Sequence, residues 1–382
     1  MLYLDNAATS YHKPENVYAA VDYALRNCSG NPGRSGHKAA MCANDIVRKT
    51  RMLCSSFINA ESAERIIFCS NATDALNLAI KGIVRTGEHV VTTSLEHNSV
   101  ARPLESLRKN GVEITKVPCS LNSGVNLHEL EKAFKHNTAL VVAAHVSNVT
   151  GTVNDIAGIG MLCRKHGIIF LVDAAQSAGS RYIDVQNMNI DMLAFPGHKS
   201  LLGPQGTGGL YVRTGVDMKP LKEGGTGSRS ESLEQPRSMP DGYESGTLNV
   251  PGIAGLGAGV RFIIDTGINK IQEKEAKITD CLIEGISHLE GVSIYAPDRG
   301  RPRGSVVSFN VNGRDPQEVA CILDTEFDIA VRSGLHCAPD AHKTIGTLCL
   351  GGTVRVSPNY FTGFNEIDVF INALDRIVHS ND

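Results

Sequence analysis

Between about residue 60 and residue 215 the chain alternates two kinds of pattern. Short strand-like runs occur at Ile66–Cys69, His89–Thr93, Glu113–Val117, 140–145, 167–173 and 209–213, with helical stretches such as 74–84 and 155–166 between them. The stretch Ile168-Ile169-Phe170-Leu171-Val172 is apolar at every position, not every second one, which predicts a strand covered on both faces. Such strands joined by helical crossovers predict a parallel sheet. Upstream, Lys38–Phe57 predicts one long helix with Ala39, Cys42, Ile46, Leu53 and Phe57 along one face. After Gly252 the pattern changes. One long helix is expected over 259–289, then strands at 306–311 and 329–332 and a last helix at 365–378. The segment 223–240, rich in Gly, Ser, Arg and Glu, predicts an exposed loop. The expected organisation is a large domain over 16–261 and a small one over 262–382 that also takes in residues 1–15.

Composition narrows the function classes. A chain of 382 residues is long enough for one large and one smaller core. Its formal charge of −3 lacks the basic surplus that nucleic acid or an acidic membrane would require. The N-terminus enters Leu2-Tyr3-Leu4-Asp5 without a basic region and apolar core, so no signal peptide is expected. Ten scattered cysteines form no Cys-x-x-Cys pair, which argues against a zinc site and a disulfide scaffold and fits a cytoplasmic protein.

Nine of those cysteines read as structural thiols. Cys337 differs, because Arg332-Ser333-Gly334-Leu335-His336-Cys337-Ala338-Pro339 places it in a loop beside two basic side chains of the kind that favour a thiolate. A second constellation lies upstream. Asp173 closes an expected strand, where open α/β sheets place their ligands, and Lys199 follows 26 positions later in Pro196-Gly197-His198-Lys199. Alone, Asp173 reads as a helix cap and Lys199 as a loop charge. Together they meet the needs of pyridoxal 5'-phosphate: an amine that binds it covalently and a carboxylate for its ring nitrogen. Gly203-x-x-Gly206-x-Gly208 has the wrong order for a dinucleotide fingerprint and leads into a strand, and there is no P-loop.

With these motifs in place, the chain resembles the fold-type I, class V aminotransferases, and within them the cysteine desulfurases and selenocysteine lyases. The likeness runs from Tyr3-Leu4-Asp5-Asn6-Ala7-Ala8-Thr9 to Thr353-Val354-Arg355-Val356-Ser357, and the compact Cys337 segment resembles the group II, Suf-like branch. The resemblance implies an α/β fold, with a mainly parallel seven-stranded sheet between helices and a small α+β C-terminal domain. It implies that Ala72, Thr73 and His198 hold the cofactor phosphate, that His97 stacks on the ring and moves protons, and that Gln176 and Asn148 lie at the phenolate. Arg355, Arg332 and Asn148 would receive the substrate, and Thr247 would reach the phosphate of the neighbouring subunit in a homodimer. Read without the resemblance, Ser70 or Asn71 is an ordinary helix cap, His97 a hydrogen-bonded surface histidine and Arg355 a surface strand charge.

The activity so implied converts L-cysteine to L-alanine and leaves the sulfur on Cys337 as a persulfide for a sulfur-acceptor protein, with L-selenocysteine as a second substrate. The alternative is another class V enzyme, an aminotransferase or β-lyase. Two departures stand out: Pro196 replaces a phosphate-binding hydroxyl of many relatives, and Leu335 stands where Suf-type relatives often carry a second histidine.

Overall fold

The computed structural model describes residues 1–33, 36–229 and 231–380. Ser230, in the expected loop, and residues 381–382, in the expected small domain, lie outside the described residues. Helix α1 (Glu15–Asn27) and helix α2 (Lys38–Phe57) precede a seven-stranded sheet. Its strands are β1 (Ile66–Cys69), β2 (His89–Thr93), β3 (Glu113–Val117), β4 (Thr138–Ala144), β5 (Ile169–Asp173), β6 (Met192–Pro196) and β7 (Gly208–Val212). Their order is β1-β7-β6-β5-β4-β2-β3, and β7 alone runs antiparallel to its neighbours. The fold is the α/β architecture with a mainly parallel sheet that the pattern implies.

The uninterrupted apolar runs are explained by the two layers of core. Phe170 and Val172 of β5 join the cluster on one face, and Leu171 joins the cluster on the other. In β4 Val141 and Ala143 face one way, Leu140 and Val142 the other. Side chains alternate along a strand, so a strand covered on both faces has no polar positions to spare. Crossover helices α3 (Ala72–Ile83), α4 (Asn98–Arg108) and α5 (Ile156–His166) supply cover.

Beyond the sheet, α6 (Val250–Thr266) and α7 (Ile268–Ser287) lead to a four-stranded antiparallel sheet in the order β8-β9-β11-β10. These strands are β8 (Val292–Tyr295), β9 (Val307–Val311), β10 (Arg332–Gly334) and β11 (Thr353–Val356), accompanied by α8 (Pro316–Phe327), α9 (Pro339–Thr344) and α10 (Phe364–His379). A third apolar cluster joins Leu4 at the N-terminus to Ile278, Phe309, Val354 and Phe370. Leu2–Tyr3 pairs in parallel with Ile329–Ala330, which is how the first residues reach this core.

Several expectations are corrected. The single helix over 259–289 is two helices, broken at Gly267, whose φ of +89° suits glycine and ends the α-helical run. The strand at 329–332 divides, its first half pairing with Leu2–Tyr3 and its second with β11. Met192–Pro196 carried no strand assignment, yet forms β6. The buried stripe of α2 is Ala40, Ala43, Val47 and Cys54, with Ile46, Leu53 and Phe57 along its margin. Cys28 and Cys42 form a disulfide, where spacing predicted none. It joins the end of α1 to α2, two helices that both pack on α6, so the pairing follows from proximity in space. Among the described residues no helix is long and apolar enough to cross a membrane.

Candidate active site

The carboxyl ends of β1, β2, β4, β5 and β6 converge on a cavity of about 220 Å³. Parallel strands deliver the loops after them to one edge of the sheet, so residues far apart in sequence meet there. Ala72, Thr73, His97, Asn148, Asp173, Gln176, His198, Lys199, Arg332 and Arg355 all line it. Thr247 and Cys337 do not line it. Thr247 is exposed in a separate cleft that includes Ser70 and Lys222, on the other side of the turn leading into α3. Cys337 lies on an adjoining cleft that shares Thr73, His97 and Ser99 with the main cavity.

At one end of the cavity the amino terminus of α3 is capped by Asn71, whose side chain accepts from the Asp74 amide at 2.9 Å. The cap reading of Asn71 and the anion-binding reading of the turn are therefore compatible: the cap satisfies one amide and leaves those of Ala72 and Thr73 at the helix end. Gly208 packs against this turn so closely that a Cβ there would stand 2.9 Å from the Asn71 backbone. On the other side, His198 contacts the Thr9 hydroxyl through Nδ1 at 3.1 Å, and burial lowers its pKa to about 4.

Asp173 is buried at the floor and accepts from the Ala175 amide at 2.9 Å. Desolvation raises its pKa, the mark of a carboxylate that lacks enough positive charge around it. Lys199 shows the converse. Burial, then the nearby Arg355, lowers its pKa to about 8. His97 is the N-cap of α4, and its Nδ1 accepts from the Ser99 amide at 3.0 Å. Burial and then Lys199 lower its pKa to about 4, so the ring is neutral with its proton on Nε2. Gln176 donates one Nε2 hydrogen to the Ala7 carbonyl at 3.0 Å and keeps the other.

Arg355, on β11, is 1% exposed, so it is not a surface strand charge. Its Nη2 pairs with Asp5 at 2.8 Å and its Nη1 donates to the Asn148 carbonyl at 3.1 Å. Register puts Arg332 of β10 directly opposite it. Arg332 Nη2 donates to the Cys337 sulfur at 3.7 Å. His336 does not assist the thiol. It is 3% exposed, its Nε2 meets the Thr353 hydroxyl at 3.0 Å, and burial lowers its pKa to about 2, so it is uncharged.

The thiol loop is fixed. His336 and Cys337 both adopt left-handed backbone, with φ of +47° and +58°. Each such residue costs about 1–2 kcal/mol without glycine. Two hydrogen bonds hold the conformation: Asn98 N to the Cys337 carbonyl and Asn148 Nδ2 to the His336 carbonyl, both at 2.7 Å. Cys337 remains exposed.

Four residues escaped the sequence reading as parts of the site. Asp5 holds Arg355. Ala7 and Ala8 line the cavity from the N-terminal segment. Glu96, beside His97, is 2% exposed and accepts from the Thr93 hydroxyl at 2.6 Å and the Ala144 amide at 3.0 Å. Their motifs were visible, but no spacing rule links residue 5 to residue 355.

The residues present fit pyridoxal phosphate. A buried carboxylate short of positive charge faces a cavity that also holds a partly buried lysine, a neutral imidazole and a helix amino terminus with free amides.

Comparison with known proteins agrees in kind. The class-V aminotransferase family model matches residues 2–370. The chain is 37% identical to a probable cysteine desulfurase of Methanothermobacter thermautotrophicus, over 98% of this chain and 94% of that protein. It is 36% identical to a probable cysteine desulfurase of Pyrococcus abyssi, over 100% and 95%. The apo structure of the cysteine desulfurase from Thermococcus onnurineus NA1 superposes with a TM-score of 0.93 at 35% identity, covering 99% of this chain and 94% of that one.

Proposed function

Because this chain belongs to the class-V aminotransferases, and within them to the cysteine desulfurase family, we propose that the cavity described above is its desulfurase site and that Cys337 receives the sulfur. The reaction converts L-cysteine to L-alanine. The observation that carries the assignment of residues is the meeting of Asp173, Lys199, His97 and Arg355 in one cavity, with the Cys337 thiol on the cleft next to it.

The family's cofactor is pyridoxal phosphate, which when bound supplies an electron sink next to the amino acid's α-carbon. In this reading Asp173 would hold the ring nitrogen, the Ala72 and Thr73 amides with the Thr73 hydroxyl and His198 would hold the phosphate, and Gln176 would donate to the phenolate. Pro196 offers the phosphate no donor, which leaves these groups to supply the contacts. His97 would stack on the ring and serve in proton transfer. Arg355 receives the substrate carboxylate, with Asn148 beside it. Lys199, with a pKa near 8, keeps a neutral fraction at neutral pH and takes the α-proton. Arg332 orients the Cys337 sulfur. As the thiolate attacks the substrate sulfur, the new S–S bond forms and the Cβ–S bond breaks. Its electron pair stays with carbon, which is protonated to give alanine, and Cys337 carries a persulfide.

In the homodimer we propose, Thr247 serves the neighbouring subunit's phosphate, which accounts for its position outside this chain's own cavity. The persulfide then passes to an acceptor protein. L-Selenocysteine would follow the same route, with a weaker bond to carbon.

The test is product analysis with L-cysteine. Stoichiometric alanine and one extra sulfur atom on the Cys337 peptide are expected by mass spectrometry. Cys337→Ala should keep the cofactor's visible absorption and lose nearly all alanine formation. Alanine released at the native rate by that variant would reduce the protein to a general pyridoxal phosphate lyase.

A further inference from the structure

Among the described residues Arg355 heads the largest fully buried side chains. A guanidinium taken out of water is strongly destabilising unless it is paired. Its carboxylate partner is not in the sheet that carries it. It is Asp5, 350 positions away, whose Oδ1 accepts from Nη2 at 2.8 Å. Nη1 is held by the Asn148 carbonyl at 3.1 Å. Nε is buried and has no partner. Arg355 lines the cavity and Asp5 does not, so the carboxylate stands behind the guanidinium.

Asp5 is itself fixed to the strand it serves. It bridges Ser357 in parallel, just beyond β11. On either side, the Ser357 amide donates to the Leu4 carbonyl at 2.7 Å and the Ala7 amide donates to Ser357 Oγ at 2.9 Å. Without Asp5, Arg355 would face Arg332 across the ladder and Lys199 in the cavity, with less negative charge to hold it in place.

We propose that Asp5 is a positioning residue for substrate recognition: it anchors Arg355 from behind, leaving uncommitted N–H groups for a carboxylate in the cavity. This rests on the reading of Arg355 as the receiver of the substrate carboxylate. A donor fixed in advance binds better than one that must reorganise. The N-terminal segment is then part of the substrate site, with Asp5 acting through Arg355.

The experiment compares holoenzymes of native protein, Asp5→Asn, Asp5→Glu and Arg355→Gln. It reads KM and kcat for L-cysteine, and Ki for two probes: 3-mercaptopropionate, a thiol with a carboxylate, and cysteamine, a thiol with an amine only. Asp5→Asn should raise KM and the 3-mercaptopropionate Ki roughly 10- to 100-fold, the scale of a lost charged hydrogen bond. Cysteamine Ki and kcat should stay within about twofold, a separation that a merely structural defect would not give. Asp5→Glu, which keeps the charge but displaces it, should show the same selectivity at several-fold size, and it carries the test if Asp5→Asn does not fold. Unchanged or lowered KM in the Asp5 variants, or equal weakening of both probes, overturns the inference. Arg355→Gln separates the two readings. If it leaves carboxylate preference intact, the reading of Arg355 fails. If it abolishes that preference while the Asp5 variants keep it, only the role of Asp5 fails.

Discussion

Glu96→Gln should stabilise the protein increasingly as pH rises from 5 to 8, relative to the native chain. Glu96 is 2% exposed, and its Oε2 is buried without a hydrogen-bond partner. Burial, partly offset by the Thr93 and Ala144 hydrogen bonds, raises its pKa from 4.5 to about 8. In the unfolded chain the carboxyl ionises near 4.5, whereas in the folded protein it keeps its proton until about 8. Between those values the folded state binds more protons, so stability falls with rising pH and the loss is complete above 8. The slope reaches about 1.4 kcal/mol per pH unit and flattens near each pKa, so roughly 3–4 kcal/mol disappears between pH 5 and pH 8. Glutamine has the same shape, can accept the Thr93 and Ala144 hydrogen bonds through its carbonyl, and does not titrate. Urea midpoints of the two holoenzymes, measured at pH 5, 6, 7 and 8 with fixed cofactor concentration, give the difference directly, because other titrating groups cancel. Parallel curves at all four pH values would refute the reasoning and leave Glu96 ionised in the folded protein.

Two further predictions concern the segment that carries Thr247. Glu244→Ala removes the partner of Arg51, a pair with side chains 6% and 10% exposed and bonds of 2.6 and 2.8 Å. Leaving that guanidinium buried should cost about 3–5 kcal/mol in denaturant unfolding, and a loss below about 1 kcal/mol would count against it. Lys199→Ala and Thr247→Ala chains, each poorly active alone, should recover activity when mixed and allowed to exchange subunits. No recovery after proven exchange would argue against a phosphate site shared between protomers.

The legibility of the fold followed from two kinds of local pattern. Continuous apolar runs marked β1, β4 and β5, because a strand covered on both faces carries its burial in its own composition. Met192–Pro196 is apolar throughout as well, but the run ends in proline, which disfavours a central strand, and pairing with β5 and β7 is what makes it one. The break at Gly267 escaped because apolar spacing continues through it, while the interruption lies in one backbone angle.

For the site, the sequence by itself determined the chemical groups: a thiol in a loop, a carboxylate at a strand end, a lysine 26 positions on and an arginine between valines. Those features are local, since residue type and immediate neighbours are enough to recognise them. Tertiary structure decided which groups are charged and which are paired. His336 looked like a cation beside the thiol, and burial makes it neutral. Cys28 and Cys42 looked like unrelated thiols, and the packing of α1 and α2 joins them. Asp5 looked like part of an N-terminal motif, and the bridge to Ser357 sets it behind Arg355. Desolvation and charge pairing depend on distance through space, which the order of residues along the chain does not fix.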